Sequence, residues 1–268
     1  MTSTLTELRA WSQLDPPVRI GLAEHGTLTL HQLTRAGGYQ RVTAAMAQFE
    51  LGRRSLQLSP LHLANWAIMK LLARPVFFDG VWIAADAHQL GFVIDRHGET
   101  PELWLAPELL AGPCPDPSAI GTAIGGLLGP IADTDIRQSR IHERAVTTIA
   151  TESAIAGLYR TARTGGRPDD AEWLEEASAA VSRALGAQVT SERLRCRPDD
   201  GPAVVVPSRS LCCVLNAKIS CHSCPGCPNT GDQAAQTRDV SARIATMADD
   251  EFLDITGRRR QGRLPARG

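Results

Sequence analysis

Five of the seven cysteines in this 268-residue chain fall within sixteen consecutive residues, and this cluster constrains the fold more than any other feature. They are Cys212, Cys213, Cys221, Cys224 and Cys227. Thiolates are soft ligands that select iron–sulfur clusters, Zn²⁺ or Cu(I), so the segment is expected to close around a metal. Because the total is odd and Cys114 and Cys196 stand apart, a disulfide framework is not expected.

Composition excludes several classes of protein. Hydrophobic residues make up 43% of the chain, which excludes a mostly disordered protein. The formal net charge of −1 argues against a strongly basic nucleic-acid binder. The longest apolar run, Leu61 to Ala73, is shorter than a membrane span and contains polar residues. The N-terminus has no basic region followed by an apolar one, so a cytoplasmic protein without a signal peptide is expected.

Hydrophobic spacing predicts several helices. A short helix is expected in residues 1–15, and Ser59 and Pro60 are expected to begin a later helix that closes at Arg74-Pro75. The remaining predicted helices cover 40–51, 118–131, 137–163, 169–185 and 232–248.

Alternating and β-branched patterns predict short strands at 19–22, 27–30, 81–84, 89–94 and 102–105. The last two are expected to pair as a hairpin through Asp95-Arg96-His97-Gly98, and 107–117 is expected to be a loop. Because helices and strands are segregated along the chain, the predicted fold class is α+β, with helices packed on a small antiparallel sheet. The predicted organisation is a body at 1–207, a cysteine-rich segment at 208–230, and a C-terminal helix with an Arg-rich tail at 231–268.

The spacing of the cysteines leaves more than one metal open. A Cys-x2-Cys loop such as Cys224–Cys227 lets two sulfurs converge on one metal, and the adjacent pair Cys212-Cys213 can supply a second pair of thiolates. A doublet fits zinc loops poorly, whereas the two irons of a [2Fe–2S] cluster leave more room for it. Cys221 adds a further Cys-x2-Cys step like that of [4Fe–4S] sites, but the fourth position of that run is Gly231.

The pattern Cys-Cys-x10-Cys-x2-Cys near the C-terminus resembles that of the ferric-siderophore reductases of the FhuF type. The resemblance implies that Cys212, Cys213, Cys224 and Cys227 bind a [2Fe–2S] cluster, with Cys221 as a possible alternate ligand. It further implies one-electron reduction of a ferric siderophore, most simply of the hydroxamate type. The electron would come from an external donor such as a ferredoxin or a reductase, since no GxGxxG dinucleotide motif follows a strand.

The chain departs from the family pattern at two points. Cys221 is an extra thiol in the ten-residue spacer, and about 40 residues follow Cys227. Two other functions stay open: a zinc-stabilised, non-enzymatic binding protein that uses the same cysteines structurally, and a related domain that handles a siderophore without a cluster.

Other residues carry weaker signals, each with a structural reading beside the functional one. His222 is either a further ligand or a solvated loop residue. His62 and Trp66 share a helical face, where Trp66 is expected in the core and His62 at a cap or the surface. Arg53-Arg54 is either an anion-attracting pair or a solvated helix end. The tail arginines either attract an acidic partner or form an unstructured end; they are Arg258, Arg259, Arg260, Arg263 and Arg267.

Overall fold

A computed structural model describes most of the chain up to residue 195 and three short strands beyond it. The described residues are 4–12, 14–24, 26–47, 56–95, 100, 102–164, 171–189, 191–195, 203–207, 251–253 and 259–261.

Helices make up most of the described body, and a 3₁₀ turn at Leu5–Glu7 precedes them. They are α1 (Arg9–Ser12), α2 (Leu30–Leu33), α3 (Ala36–Met46), α4 (Ser59–Ile68), α5 (Arg74–Asp79), α6 (Pro117–Gln138), α7 (Glu143–Thr164) and α8 (Ala171–Leu185). A π-helical segment, Met69–Ala73, joins α4 to α5. The predicted helix at 232–248 lies outside the described residues.

The strands are short. They are β1 (Val18–Ile20), β2 (Thr27–Thr29), β3 (Val81–Ile83), β4 (Leu90–Val93), β5 (Glu102–Leu105), β6 (Ala111–Pro113), β7 (Ser191–Arg195), β8 (Ala203–Pro207), β9 (Glu251–Leu253) and β10 (Arg259–Gln261). The α+β class predicted from the sequence is confirmed.

The main sheet has the strand order β1-β5-β4-β2. Strands β4 and β5 pair antiparallel with Leu90 opposite Leu105, which confirms the predicted pairing. Arg96, His97 and Gly98 of the predicted turn lie outside the described residues. Strand β2 adds antiparallel to β4, whereas β1 adds parallel to β5, so the sheet is mixed rather than wholly antiparallel. The two N-terminal strands therefore lie on opposite edges of the sheet and do not pair with each other.

Three two-stranded ladders complete the described strands: β3–β6, β7–β8 and β9–β10. The predicted loop at 107–117 is wrong in its centre, because Ala111–Pro113 pairs with β3. Pro113 is tolerated there because β6 belongs to a two-stranded ladder and is therefore an edge strand, where proline is accepted. Strand β7 was not predicted from the sequence.

The prediction that Arg74-Pro75 closes a helix is wrong. The helical backbone continues through the π-helical segment into α5. It ends only at Gly80, which has φ +67°. In the π turn the Arg74 N–H donates to the Met69 carbonyl, five residues back. This wider turn accommodates Pro75, which lacks an N–H and in a regular helix would clash with the carbonyl four residues earlier.

Other helix ends also differ from the prediction. Leu58, rather than Ser59, is the N-cap of α4, and the Ser59 hydroxyl donates to the Leu56 carbonyl. The predicted helical region 137–163 is broken between α6 and α7, since Ser139 takes an extended backbone. Helix α8 ends at Gly186, which has φ +77°, as the predicted C-terminal cap requires.

Helices α6 and α8 pack closely because glycines line their contact. A Cβ at Gly121 would overlap the carbonyl of Ala177 and lie 2.8 Å from the Ala180 Cβ. A Cβ at Gly125 would overlap the side chain of Ala184. The small residues thus let the two backbones approach.

The core lies between the sheet and these helices. Its largest fully buried side chains include Phe92, Leu28, Leu61, Ile68 and Leu103. Within the described residues, no helix is both long enough and apolar enough to cross a membrane.

Candidate functional site

The cysteine-rich segment follows directly from β8. Strand β8 pairs with β7 and lies against α7 and α8. The chain leaves β8 at Pro207, and five peptide units later reaches Cys212, a span of at most about 18 Å. The described chain before the cysteine-rich segment therefore ends in a strand that lies against α7 and α8.

The predicted cluster ligands themselves lie outside the described residues. These are Cys212, Cys213, Cys224 and Cys227, together with the possible alternate Cys221. The same holds for His222, Cys196 and the Arg53-Arg54 pair. In the part of the chain that the structure does describe, no group of three or more His, Cys, Asp or Glu side chains is arranged to hold a metal.

Of the tail arginines, Arg259 and Arg260 lie in β10, and Arg258, Arg263 and Arg267 lie outside the described residues. The other predicted residues belong to the body. His62 and Trp66 lie one turn apart on α4, and both are half-buried. Trp66 packs against the hydrophobic core, as does the half-buried Cys114. For Trp66 the core position expected from the sequence is therefore confirmed.

Helix α4 and the π-helical segment run alongside α7 in a parallel register. The Asn65 side-chain amide donates to the Ser153 carbonyl at 3.1 Å. One turn further along both elements, Met69 packs so tightly on Gly157 that a Cβ there would lie 2.6 Å from the Met69 Cγ. Each step of four residues on one element therefore corresponds to four on the other, and the next turn brings residues 70–74 beside Arg160.

A basic cluster occupies that next turn. We define it as Lys70, Arg74 and Arg160, of which Lys70 and Arg74 are half-buried and Arg160 is exposed. Burial lowers the pKa of Lys70, and the charges of Arg74 and Arg160 lower it further, whereas Asp15 acts in the opposite direction. Among the described residues, no carboxylate lies within 4.0 Å of the Lys70 ammonium.

Arg74 is fixed by the N-terminal segment. Its Nε donates to the Ala10 carbonyl at 3.0 Å, and its guanidinium lies 4.2 Å from the centre of the Phe78 ring. The Asp79 carboxylate in turn accepts from the Ala10 N–H at 2.9 Å. Burial lowers the pKa of Arg74, although Asp79 opposes this. The cluster thus has one cation held rigidly and another, Lys70, without a bonded partner.

Two other polar groups stand out in the body. Asp135 on α6 is fully buried, and neither carboxylate oxygen has a hydrogen-bond partner among the described residues. Burial raises its pKa to about 8, so the side chain is protonated at neutral pH. The other is a pair of stacked imidazoles, His31 and His88, whose ring centroids are 3.7 Å apart.

Sequence reasoning missed these features for a common reason. Lys70 and Arg74 are four residues apart inside an apolar run, and Lys70 is one of only two lysines in the chain, which was a usable signal. Arg160 joins them only through the register of two helices about ninety residues apart, which no local pattern encodes. Asp135 likewise sits in a helical pattern whose buried face depends on its neighbours.

No protein-family model matches the chain, and no curated protein matches it significantly. The resemblance to the siderophore reductases therefore rests on the cysteine motif.

Proposed function

We propose that this chain is an iron–sulfur protein of the cytoplasm that reduces ferric siderophores by one-electron transfer and so releases their iron. The observation that carries the proposal is the spacing Cys212-Cys213-x10-Cys224-x2-Cys227. A doublet and two fixed spacings must coincide for this pattern to arise, and all three do.

The donor set fits a [2Fe–2S] cluster. Four thiolates supply the soft, anionic ligands that iron–sulfur clusters require, and each of two irons takes two of them. Cys224 and Cys227 would provide one pair, since the Pro-Gly step between them favours a tight turn, and Cys212-Cys213 would provide the other. When bound, such a cluster supplies one electron at a time at a potential that nearby hydrogen bonds and solvent exposure tune.

Single-electron reduction suits iron release. Hydroxamate siderophores hold Fe³⁺ through hard anionic oxygens, and the same oxygens bind the softer, less charged Fe²⁺ far more weakly. The balance is one electron: the ferric ion gains it, and an external donor such as a ferredoxin or a reductase restores it to the protein.

The first test is purification under anaerobic conditions. We expect a red-brown protein with two iron and two sulfide per chain and an EPR signal after reduction with dithionite. A colourless protein that holds zinc would overturn the proposal and favour the non-enzymatic binding protein instead.

The second test addresses the reaction. The reduced protein is mixed with a ferric hydroxamate and a chelator that traps Fe²⁺, and we expect the ferric band to bleach as one Fe²⁺ forms per electron stored. A cluster-loaded protein that reoxidises no faster with the ferric hydroxamate than without it would refute the reductase activity while leaving the cluster in place.

A further inference from the structure

The stacked imidazoles join two parts of the fold that are distant in the sequence. His31 is the second residue of α2, and His88 belongs to the connection between β3 and β4, which we call the 84–89 loop. The ring centroids are 3.7 Å apart, with an angle of 22° between the ring planes. Beside the rings, the His31 N–H donates to the Ala87 carbonyl at 2.7 Å. A ring contact and a backbone hydrogen bond therefore fix α2 to the 84–89 loop.

The 84–89 loop has further hydrogen bonds that do not involve α2. The His88 N–H donates to the Asp86 carboxylate at 2.7 Å, and the Asp86 N–H donates to the Gln89 side-chain oxygen at 3.0 Å. The Gln89 carbonyl accepts from the Ala106 N–H, just after β5, at 3.0 Å. The loop can therefore part from α2 and keep its own structure.

The contact requires that the His31 ring is neutral. The Arg35 guanidinium lies 2.9 Å from His31 Nε2 and can only donate, so a proton on that nitrogen would set two donors against each other. A charged His31 would also lie against the ring of His88, an imidazole that itself takes up a proton in acid. Like charges so close repel, and protonation therefore works against the stack.

The charged groups that act on His31 come from two sides. Arg35 lies at the start of α3, and Asp86 and His88 lie in the 84–89 loop. Asp86 favours a charged His31, but its carboxylate already accepts the His88 N–H, whereas Arg35 and His88 oppose that charge. Helices α3 and α6 and strand β2 pack against α2, and among the described residues Arg35 is the one charged group from these elements that acts on His31.

We propose that the His31–His88 stack is an acid-sensitive latch that holds α2 against the 84–89 loop at neutral pH and releases it in acid. The step takes up protons from the solvent and transfers no electron: the His31 ring is protonated at Nε2, Arg35 withdraws from it, and the two rings separate. The latch goes beyond the proposed reductase function and does not depend on it, because both histidines lie outside the cysteine-rich segment.

NMR on the full-length protein at pH 7.5 and pH 4.5 tests the latch. Nuclear Overhauser effects between the imidazole protons of His31 and His88 report the stack. The protection factor of the His31 amide against hydrogen exchange, which is corrected for the intrinsic rate at each pH, reports the bond to Ala87. At pH 4.5 we expect the Overhauser effects to vanish and the protection factor to fall about tenfold or more, while the amides of β4 and β5 keep their protection.

His88→Phe provides the critical comparison. Phenylalanine keeps a flat ring that can stack but cannot be protonated, and a charged His31 over that ring is an attractive cation–π pair. This variant should therefore keep the ring contact and the His31 amide protection at pH 4.5. His88→Ala, which removes the ring, should lack the extra protection at both pH values. His142→Phe is the matched control, since His142 is exposed just before α7, and it should open like the natural chain.

Three results would overturn the latch. The first is a stack that persists in the natural chain at pH 4.5. The second is a folded His88→Phe protein that loses the contact at the same pH as the natural chain. The third is a loss of the contact that occurs only together with the protection of β4 and β5, since this would be global unfolding rather than a local release.

Discussion

Tyr39 on α3 lies within electrostatic reach of the Asp135 carboxyl on α6. Burial raises the pKa of the Tyr39 phenol to about 12, and the charge of Asp135 adds to the shift. The phenol donates to the Gln57 carbonyl at 3.0 Å and therefore offers Asp135 no proton. Asp135 is therefore a buried carboxyl group whose protonation state depends on pH.

Replacing Asp135 by Asn should remove a pH dependence of folding. The pKa of Asp135 is about 8 in the folded chain, against an ordinary value of 3.8. Between these two pH values the folded chain keeps a proton on Asp135 that the unfolded chain releases, so the free energy of unfolding falls as pH rises. The free energy of unfolding of Asp135→Asn, relative to that of the natural chain, should therefore increase between pH 5 and pH 8. The increase is at most about 4 kcal/mol, at 1.36 kcal/mol per pKa unit.

Urea unfolding at the two pH values measures the difference. Asp133→Asn is the control, because Asp133 is exposed on the same helix α6. If the difference in free energy of unfolding between Asp135→Asn and the natural chain is the same at pH 5 and pH 8, Asp135 is not the titrating group.

The glycines of α6 should respond in opposite directions to alanine. Gly121→Ala places a methyl group against the Ala177 carbonyl and should destabilise by about 1–3 kcal/mol, as overpacking does. Gly126 is exposed and has open space around its missing Cβ, so Gly126→Ala should stabilise by about 0.5–1 kcal/mol through helix propensity. Thermal and urea melts of the two variants check this, and a Gly121→Ala protein as stable as the natural chain would contradict the close α6–α8 contact.

Within the stacked histidine pair, His31 should titrate below its usual range. Burial lowers the pKa of His31 from 6.5, and the charges of His88 and Arg35 add to this. The Arg35 guanidinium lies 2.9 Å from His31 Nε2 and can only donate, so that nitrogen must carry the lone pair and the ring must be neutral. The stability that neutral His31 contributes is thus present above pH 6.5 and is lost as pH falls through the lowered pKa of His31.

Titration of the imidazole Cε1–H signals by NMR tests this arrangement. His31 should have its midpoint below 6.5, and Arg35→Gln should raise it by removing both the charge and the donor. Arg41→Gln serves as control, since Arg41 lies on α3 and its guanidinium donates to the Gly26 carbonyl instead. A midpoint that Arg35→Gln leaves in place would disprove the coupling.

Two serine substitutions should distinguish the predicted cluster ligands from the neighbouring Cys221. Cys224→Ser should abolish the iron–sulfur absorption, whereas Cys221→Ser should preserve it, because four thiolates already satisfy two irons. Iron and sulfide content of the anaerobically purified variants provides the measurement. Loss of the cluster in Cys221→Ser would move Cys221 into the ligand set.

Local patterns predicted the elements that local forces determine. The β4–β5 pairing and helix α8 follow from alternation, amphipathic spacing and the Gly186 cap, and all three are confirmed. The class α+β follows from the order of those elements.

The wrong predictions concern segments whose structure depends on residues distant in the sequence. By the usual rule Pro75 should end a helix, but the π turn before it accommodates the proline ring, and the buried helical segment continues. Ala111–Pro113 has the composition of a loop and becomes a strand because β3 offers it a partner. The basic cluster depends on the register of α7 against α4, which no window of sequence contains.

Strand β1 also determines when the sheet can be completed during synthesis. Its partner β5 ends at Leu105, so Val18–Ile20 waits for some eighty further residues before its backbone groups can pair. Pairing so distant in sequence carries the loop-closure entropy that slows folding. During synthesis, β1 is therefore the earliest strand of this sheet to be made, and its backbone groups can pair only after β5 has left the exit tunnel.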